Sequence, residues 1–371
     1  LLLPFLVKLR ISLMKSFDYK TFKALPLPTE AEIMASWKED DKSLSVGVLC
    51  TTFNQEIYIE DALRGFLIQK TEFPFEVVIH DDASTDATPE VLRKYAERYP
   101  NIIKLILQKE NQYSQGKKIT LLALEYTKAS YIAFCEGDDF WIDENKLSHQ
   151  KKIVDMNPGC SLVVHQCFLM KGERVDSKPS MQHGSEQRLI EKSEVVSLPG
   201  QFSPTASYLV NRDVFEILPD WFKIAPVGDY FIECYSFKLG KVIYSPLAHS
   251  VYRIQAEGSW SAATYGSGEK MKKFAWRMYE SLVLMKEDAF FTGANIEKKM
   301  ADVLADVAKG ALLNHEFLEF EEVITKSFLM HKHLSRAQSV LFSLRRFPSV
   351  ARFILIAQKQ FRIVVMRKNL Y

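Results

Sequence analysis

Short apolar runs alternate with segments of helical hydrophobic spacing through the first part of the chain. The apolar runs cover residues 45–50, 75–79, 102–107 and 131–135. Between them lie segments with the apolar spacing of amphipathic helices, at 58–69, 88–99 and 119–128. Strands and helices that alternate at this rhythm predict βαβ units, right-handed crossovers and a mostly parallel sheet. The pattern therefore predicts an α/β fold.

The pattern changes to long helical periods in the last hundred or so residues, where aromatic and aliphatic residues are interleaved with Lys, Arg and Glu. Between Ile324 and Tyr371 there are ten Lys or Arg residues and no Asp or Glu. We therefore predict a helical C-terminal region. The predicted regions are an N-terminal extension over 1–42, mostly helical or loose, an α/β domain over 43–265, and a basic helical region over 266–371.

The composition is that of an ordinary globular protein, with 47% hydrophobic and 25% charged residues. The net charge of +2 does not indicate nucleic acid as a partner, and we expect none. The five cysteines lack CxxC spacing and lie mostly in apolar runs, so we expect reduced core residues of a cytoplasmic protein and no zinc site.

The two ends of the chain bear on its relation to membranes. No stretch reaches the roughly 18–20 apolar residues of a spanning helix. Lys8 and Arg10 follow the first apolar residues, whereas a signal peptide carries its positive charge first, so we expect no signal peptide. The basic C-terminal region has two interpretations. It is either a helix on an anionic membrane surface or a helix whose Lys and Arg stems cover apolar protein surface.

The segment Glu136-Gly137-Asp138-Asp139 directly follows the apolar run at 131–135. Carboxylates at the carboxyl end of a strand lie where open α/β sheets bind ligands. Adjacent carboxylates repel each other unless a positive charge joins them, and hard divalent cations prefer carboxylate oxygen. We therefore predict that this segment binds a divalent cation that carries a phosphate-bearing substrate. The alternative is a pair of solvated loop aspartates.

Two further acidic segments are predicted to lie in loops that follow strands of the same sheet. They are residues 80–86 (HDDASTD) and 227–230 (VGDY). Because the loops at the carboxyl ends of a doubly wound sheet converge, we expect the three acidic segments to meet at one edge. Such an edge can read a nucleobase, hold a cation for a diphosphate and supply a base for an acceptor. The GxGxxG sequence of dinucleotide-binding dehydrogenases does not follow the first strand.

Three segments in this order resemble motifs of the family 2 glycosyltransferases of GT-A fold. They are residues 45–54 (SVGVLCTTFN), 80–86 (HDDASTD) and 136–141 (EGDDFW). The resemblance runs from about residue 44 to residue 160 and resumes through 228–230 and 252–261. It implies a GT-A fold, which is Rossmann-like. It also implies inverting, metal-assisted transfer of a sugar from a nucleotide-diphosphate donor to a hydroxyl acceptor.

The resemblance implies a site for the donor nucleotide. Thr51 and Phe53 would flank the nucleobase, and Asp82 would hydrogen-bond its ring. Lys117, in the loop after the third strand, would contact the donor phosphates. Phe53 stands where the family usually has tyrosine, which removes a hydroxyl group but keeps a face for stacking. For Asp82 the alternative is a turn aspartate that bonds its own backbone.

The resemblance also implies the roles of the remaining acids. Asp138 and Asp139 match the metal motif for Mg²⁺ or Mn²⁺, with Asp139 as the expected direct ligand and Asp138 also at the donor. Asp229 matches the general base that takes the proton of the acceptor hydroxyl. Family members often have His where this chain has Gln255, and an amide there would weaken a contact to the metal or the diphosphate.

Glu136, Trp141 and Trp260 are the residues that we expect at the acceptor and sugar pocket. Tryptophan rings can pack on a sugar or a base, because they present a large flat apolar face. The alternative for both tryptophans is packing in the core or at its rim.

We weigh two other functions. One is a non-catalytic GT-A-like module that binds nucleotide or glycan. The other is a sugar nucleotidyltransferase, although the segment 51–54 is not the Gly-rich basic loop that such enzymes usually carry after the first strand. The favoured hypothesis is a cytoplasmic glycosyltransferase, peripheral on the inner face of the cell membrane. Its expected acceptor is a surface-polysaccharide or lipid-linked glycan.

Overall fold

The computed structural model describes residues 17–38, 44–259, 264 and 267–357. The chain forms two compact units. The first contains the sheet and comprises residues up to 191 together with 201–224 and 228–259. The second comprises 192–200, 225–227 and the chain from 260 onward. The boundaries that the sequence predicts at residues 42 and 265 stay predictions.

The first unit alternates strands and helices from Val46 onward. Its strands are β1 (Val46–Thr52), β2 (Phe75–Asp81), β3 (Ile103–Leu107), β4 (Tyr131–Phe134), β5 (Phe140–Trp141), β6 (Cys160–Lys171), β7 (Arg174–Val175), β8 (Arg188–Leu189), β9 (Leu209–Asn211) and β10 (Lys241–Arg253). Its α-helices are α1 (Tyr19–Ala24), α2 (Glu30–Met34), α3 (Ile59–Leu67), α4 (Thr88–Arg98), α5 (Ile119–Leu124), α6 (Lys146–Met156) and α8 (Asp229–Leu239). Short 3₁₀ helices cover Thr205–Ser207, Arg212–Ile217 and Asp220–Ile224.

The strands form one mixed sheet in the order β3-β2-β1-β4-β9-β6-β10-β5, with β7 on β6 and β8 on β10. The ladders β3-β2-β1-β4 and β6-β10 are parallel and contain most of the paired residues. Strand β9 is antiparallel to both of its neighbours, and β5 is antiparallel to β10. The predictions of a mostly parallel α/β sheet and a helical C-terminal region are confirmed.

The core of the first unit lies between this sheet and its helices. Val48, Cys50 and Val77 are fully buried against Leu63 and Phe66 of α3. Helix α3 crosses β5 so closely that a Cβ at Gly65 would lie 2.7 Å from the backbone N and O of Trp141. All five cysteines are buried and form no disulfide, as the sequence predicts.

Residues 17–38 belong to the first unit. Phe22 is buried, and its ring centroid lies 5.0 Å from that of Phe140. The Pro28 carbonyl accepts a hydrogen bond from the Tyr99 hydroxyl at 2.8 Å. The Trp37 indole donates to the Thr71 hydroxyl at 3.2 Å. The segment therefore adds aromatic surface to the core of the sheet domain.

The second unit is helical. It contains α7 (Lys192–Val196), α9 (Gly268–Glu287), α10 (Ile296–Leu313), α11 (Phe317–Met330) and α12 (Arg336–Ser343), and residues 348–357 are also helical. A buried chain of hydrogen bonds joins three of these helices. Gln338 donates to the Ser327 hydroxyl at 3.0 Å, which donates to the Ala301 carbonyl at 2.6 Å. Among the helices that the structure describes, none combines the length and apolar character of a membrane span.

Candidate active site

The carboxyl ends of β1, β2 and β4 come together at one edge of the sheet. Thr52 lies opposite Asp81 in the parallel ladder, and its carbonyl accepts a hydrogen bond from the Asp82 N–H at 3.0 Å. The Thr51 carbonyl accepts a hydrogen bond from the Gly137 N–H at 3.0 Å. The acidic segments 80–86 and 136–139 are therefore brought to the same edge of the sheet, as predicted.

The loops after β1 and β2 are fastened to each other by side chains. The Asn54 side-chain oxygen accepts from the Thr85 N–H at 2.8 Å, and the Asn54 N–H donates to the Ser84 hydroxyl at 2.8 Å. Asp86 accepts from the Glu56 N–H at 3.0 Å. Asn54 has a φ of 51°, in the left-handed region that Asn tolerates better than most residues. Hydroxyl, amide and carboxylate groups of 84–86 thus fix the loop that carries Phe53.

Asp82 fastens a third loop. Its two carboxylate oxygens accept from the Gln112 N–H at 2.8 Å and the Tyr113 N–H at 2.9 Å, and only 3% of the residue is exposed. The predicted hydrogen bond from Asp82 to a nucleobase stays a prediction. The contacts found here are those of a positioning residue, closer to the alternative of a carboxylate that bonds backbone.

Exposed aromatic side chains stand on the loops that Asp82 and its neighbours hold. Phe53 and Tyr113 are both exposed, while Thr51 is half-buried. Lys117 is exposed and donates to the Gln112 side-chain oxygen at 2.5 Å. Sequence reasoning overlooked Tyr113, because a tyrosine between polar loop residues has no pattern that distinguishes it.

The acidic loop between β4 and β5 presents its carboxylates unequally. Glu136 and Asp138 are half-buried, whereas Asp139 is only 1% exposed. Asp139 Oδ1 accepts from the Arg253 N–H at 2.8 Å, and its Oδ2 has no hydrogen-bond partner among the described residues. Asp138 accepts a hydrogen bond from the Gln55 side chain. A side chain at Gly137 would collide with Gln55 and Thr52, which explains the glycine.

The electrostatics of this loop are those of crowded, desolvated carboxylates. Burial, with the charges of Asp138 and Asp229, raises the pKa of Glu136 to about 8. Burial also raises the pKa of Asp138. Burial and the charges of Asp138 and Glu136 raise the pKa of Asp139 well above its usual range. A cation near these groups would relieve both the repulsion and the lost hydration.

Asp229 is the first residue of α8 and follows the 3₁₀ helix Asp220–Ile224, not a strand as the sequence predicted. It nevertheless lies close enough to Glu136 to raise the pKa of that group. Its Oδ1 accepts from the Tyr230 N–H at 2.7 Å. Asp229 and the three acids of the loop also lie near Tyr252. Burial and the charges of these four carboxylates raise the pKa of the Tyr252 phenol. The structure therefore brings Asp229 together with Glu136 and the aspartate pair.

The carboxylates fit a divalent cation by chemistry. In the described part of the chain, no group of three or more His, Cys, Asp or Glu side chains is arranged as a metal site. Glu136 and Asp138 nevertheless offer half-buried carboxylate oxygens, which hard cations prefer. Asp139 was predicted as the direct ligand, but its burial and its bond to Arg253 make it less accessible than Asp138. Gln255, which departs from the family pattern, is exposed.

Trp141 does not line a pocket. It is fully buried, its indole donates to the Ala206 carbonyl at 2.9 Å, and its ring packs edge-on against Phe66 at 4.9 Å. The prediction that it contacts a sugar is therefore corrected to its alternative, core packing, because strand β5 turns the ring inward toward α3. Trp260 lies outside the described residues.

Arg253 lies in the segment 252–261 of the family resemblance, but no feature of the sequence assigns it a role. It ends β10, is 6% exposed, and contacts the acidic loop through both its backbone and its guanidinium. A single arginine at the end of an apolar strand resembles a surface residue in sequence, so its burial could not be inferred.

Several known proteins are similar in sequence to this chain. Residues 48–214 match the model of glycosyl transferase family 2. An uncharacterized protein of Mycobacterium tuberculosis, Rv1520, is 34% identical over 223 residues, which are 59% of this chain and 61% of that protein. The poly(ribitol-phosphate) beta-N-acetylglucosaminyltransferase TarS of Staphylococcus aureus is 25% identical over 61% of this chain and 38% of its own length. The chain thus spans less than two thirds of these relatives.

Solved structures share the fold. A crystal structure of residues 1–349 of TarS, in complex with UDP-GlcNAc, covers 85% of this chain and 92% of its own, with 16% identity and a TM-score of 0.54. The mannosyltransferase PcManGT of Pyrobaculum calidifontis, in complex with GDP-Man and Mn²⁺, covers 90% and 91%, with 17% identity and a TM-score of 0.52. Residues 48–214 therefore match glycosyl transferase family 2, and the solved structures show that the chain has the GT-A fold.

Proposed function

We propose that this protein is an inverting, metal-dependent glycosyltransferase that moves one sugar from a nucleotide-diphosphate donor to a hydroxyl group of a glycan acceptor. One observation carries the proposal. Glu136 and Asp138 are half-buried at the carboxyl edge of the sheet, next to Asp229, with raised carboxyl pKa values in the acidic loop. Such a group of carboxylates is stabilised by a cation bound with a diphosphate.

The nucleoside of the donor binds along the loops that follow β1, β2 and β3. Phe53 and Tyr113 are exposed there, and a base has a flat face that stacks on such rings. Thr51 borders the same edge, and Lys117 offers a cation for the donor phosphates. Asp82 serves this site by holding the backbone of 112–113, which presents Tyr113.

Asp138 and Glu136 would hold Mg²⁺ or Mn²⁺. When bound, the ion supplies a Lewis acid that neutralises the charge growing on the departing diphosphate. Asp139 orients the loop through its bond to the Arg253 N–H and is not the primary ligand in this proposal. The solved complex of PcManGT with Mn²⁺ supports the use of a divalent cation in this fold.

Asp229 is the general base. Its carboxylate takes the proton of the acceptor hydroxyl, and the acceptor oxygen attacks the anomeric carbon on the face opposite the leaving diphosphate. The carbon–oxygen bond to the nucleoside diphosphate breaks as the new glycosidic bond forms, which inverts the anomeric configuration. Base catalysis of this kind contributes about 10²–10⁴-fold to a rate.

The donor and acceptor classes are supported by the relatives. TarS is solved with UDP-GlcNAc and PcManGT with GDP-Man, so a UDP- or GDP-hexose is the donor class to test first. The name of TarS gives it a poly(ribitol-phosphate) acceptor. We place the present acceptor among surface-polysaccharide or lipid-linked glycans and the protein in the cytoplasm, where its five reduced cysteines fit the redox conditions.

Thermal-shift measurements with a panel of nucleotide-sugars, each with and without Mn²⁺, test the proposal. We expect nucleotide-sugars with one particular nucleobase to raise the melting temperature of the protein, and only when Mn²⁺ is present. We also expect the matching nucleotide-sugar to be slowly hydrolysed or to have its sugar slowly transferred. Binding without any turnover of the nucleotide-sugar would favour the alternative of a non-catalytic binding module. No stabilisation by any nucleotide would contradict the proposal.

A second surface supports contact with a membrane. On the helical segment 348–357 and at its start, Phe347, Val350 and Phe353 are 64%, 49% and 73% exposed. Val350 and Phe353 lie three residues apart and therefore on one side of the helix, and exposed Arg346 lies just before Phe347. Because residues from Ile324 onward include no acid, the partner with complementary charge is an anionic lipid surface.

Vesicle flotation tests this contact. We expect the protein to float with vesicles rich in phosphatidylglycerol and not with phosphatidylcholine alone, and the double variant Phe347→Ser with Phe353→Ser to lose the binding. Leu318→Ser is the matched control, since Leu318 is 87% exposed on another helix of the same unit. Equal flotation of the double variant and the wild type would rule out this surface as the membrane contact. Binding of nucleic acid instead of vesicles would assign a different partner to the surface.

A further inference from the structure

The guanidinium of Arg253 is buried against the acidic loop. It forms an ion pair with Asp61 and donates to the Asp138 carbonyl at 2.5 Å. Its carbon centre lies 4.5 Å from the ring centroid of Phe140 and 5.0 Å from that of Tyr58. These contacts fix both the position and the plane of the guanidinium.

The backbone of Arg253 makes a second contact with the acidic loop. The Arg253 N–H donates to Asp139 Oδ1 at 2.8 Å, so consecutive aspartates are held by one residue of β10. The positive charge also acts on both aspartates, since it lowers the pKa of each against the larger effect of burial. Arg253 thus joins the end of β10 to the turn between β4 and β5.

Asp61 and Tyr19 complete the network. Asp61 lies on α3, is buried, and accepts a hydrogen bond from the Tyr19 hydroxyl at 2.6 Å. Burial and the Asp61 carboxylate raise the pKa of Tyr19 to about 12, so the hydroxyl stays a donor. The Tyr19–Asp61–Arg253 network therefore connects residues that are 42 and 192 positions apart in sequence.

A buried ion pair is a poor source of stability, because the cost of removing two charges from water offsets their attraction. A function that needs the charge at this position gives a better reason for it. We infer that Arg253, held by Asp61 and Tyr19, is a positioning residue that presents Asp138 and keeps the crowded carboxylates of the acidic loop in place. The inference rests on the proposed function for the use of that loop, but the positioning itself does not.

Two readouts separate the inference from the proposed function. The first is amide hydrogen exchange of residues 136–139 in the metal-free protein, which needs no activity. The second is the affinity for Mn²⁺ measured by calorimetry without donor. We expect Arg253→Lys to speed exchange in the loop and to weaken Mn²⁺ binding by about 10–100-fold, as changes behind metal ligands do.

Tyr19→Phe keeps the ring and removes only the hydroxyl, so it tests the network if Arg253→Lys does not fold. We expect it to produce smaller changes of the same sign. Tyr95→Phe is the matched control, because the Tyr95 hydroxyl donates to Glu60, the neighbour of Asp61, at 3.3 Å and has no bond to the acidic loop.

The outcomes are distinct. The inference would be overturned if the Arg253→Lys and Tyr19→Phe proteins fold and their amides at 136–139 exchange at the wild-type rate, whatever their activity. A wild-type protein that binds no Mn²⁺ and turns over no nucleotide-sugar would overturn the proposed function, and the exchange measurement would still decide the inference.

Discussion

The carboxylates of the acidic loop differ from surface acids because they are both crowded and desolvated. Burial and the charges of Asp138 and Asp229 raise the pKa of Glu136, so without a cation this carboxyl favours its protonated form more than a surface acid does. Asp138 is half-buried and receives one hydrogen bond from Gln55. These residues have the most to gain from a bound cation, which is why the proposed function begins with them.

The proposed role of Asp229 is that of general base, and one variant tests this role separately from metal binding. Asp229→Asn keeps the shape of the side chain and removes the basic oxygen, so the acceptor proton has no place to go. We expect transfer to fall by about 10²–10⁴-fold. Binding of the nucleotide with Mn²⁺, measured by calorimetry, should stay unchanged. Near-wild-type transfer by this variant would assign the base to another residue.

Lys146 provides a test of stability against pH. It is fully buried, donates to the Gln150 side chain at 2.7 Å and lies 4.0 Å from the Trp141 ring centroid. Burial lowers its pKa to about 7. Below that pH the amine is charged in both the folded and unfolded states. Between about 7 and 10 only the unfolded state holds the proton, so this group makes stability rise with pH over that window.

Lys146→Met removes a charge that the fold must desolvate. We expect it to raise the free energy of unfolding by on the order of 1 kcal/mol at pH 7 or below, with the gain shrinking toward pH 10. Urea denaturation at several pH values measures this. Lys152→Met, at an exposed position of the same helix, is the control and should shift stability by less than about 0.5 kcal/mol. A gain that does not vary with pH would refute the explanation.

At the scale of single residues, the chemical character of the site was easier to predict from the sequence than the exposure of each side chain. The convergence of Glu136, Asp138 and Asp229 follows from their places after strands or before a helix, which a pattern of apolar runs can locate. Whether a side chain such as Trp141 or Asp82 faces a pocket depends on neighbours from distant segments. Those neighbours, the Ala206 carbonyl and the 112–113 backbone, have no signal in the local sequence.

At the scale of elements, helix α3 and strand β5 depend on close backbone contact. Gly65→Ala would place a Cβ 2.7 Å from backbone atoms of Trp141, which cannot move aside as a flexible side chain would. We expect a loss of about 1–3 kcal/mol in the free energy of unfolding.

Gly228→Ala serves as the control for this prediction, since its nearest contact would be an ordinary 3.6 Å to the Phe222 ring. Its expected change is within about 0.5 kcal/mol. Chemical denaturation compares the two variants. Equal stability of Gly65→Ala and the wild type would mean that α3 and β5 are farther apart than described.

The elements between residues 45 and 135 were largely predictable, whereas the long strands β6 and β10 were not assigned from the sequence. The alternation of apolar runs with amphipathic segments located β1, β2, β3 and β4 and their helices, because each has one period over its whole length. The antiparallel strands β5 and β9 were not predicted. Both are very short, so neither has enough residues to show a period.

At the scale of the whole molecule, the arrangement of the site depends on long-range contacts. The N-terminal segment that the sequence described as an extension supplies Tyr19 to the network behind the acidic loop, and Phe22 to the packing around Phe140. Such contacts join segments with no shared pattern, so sequence reasoning assigned the segment no role. The basic character of the last residues, by contrast, was visible in composition alone.

We propose above all that Asp138 and Glu136 hold a divalent cation that binds a nucleoside diphosphate. Calorimetric titration of UDP and GDP into the protein, with and without Mn²⁺, tests it most directly when Asp138→Asn is compared with the wild type. We expect Mn²⁺-dependent binding of one nucleotide by the wild type and an affinity at least about ten-fold lower in the variant. Nucleotide binding that is equally tight in both proteins, or that ignores Mn²⁺, would contradict it.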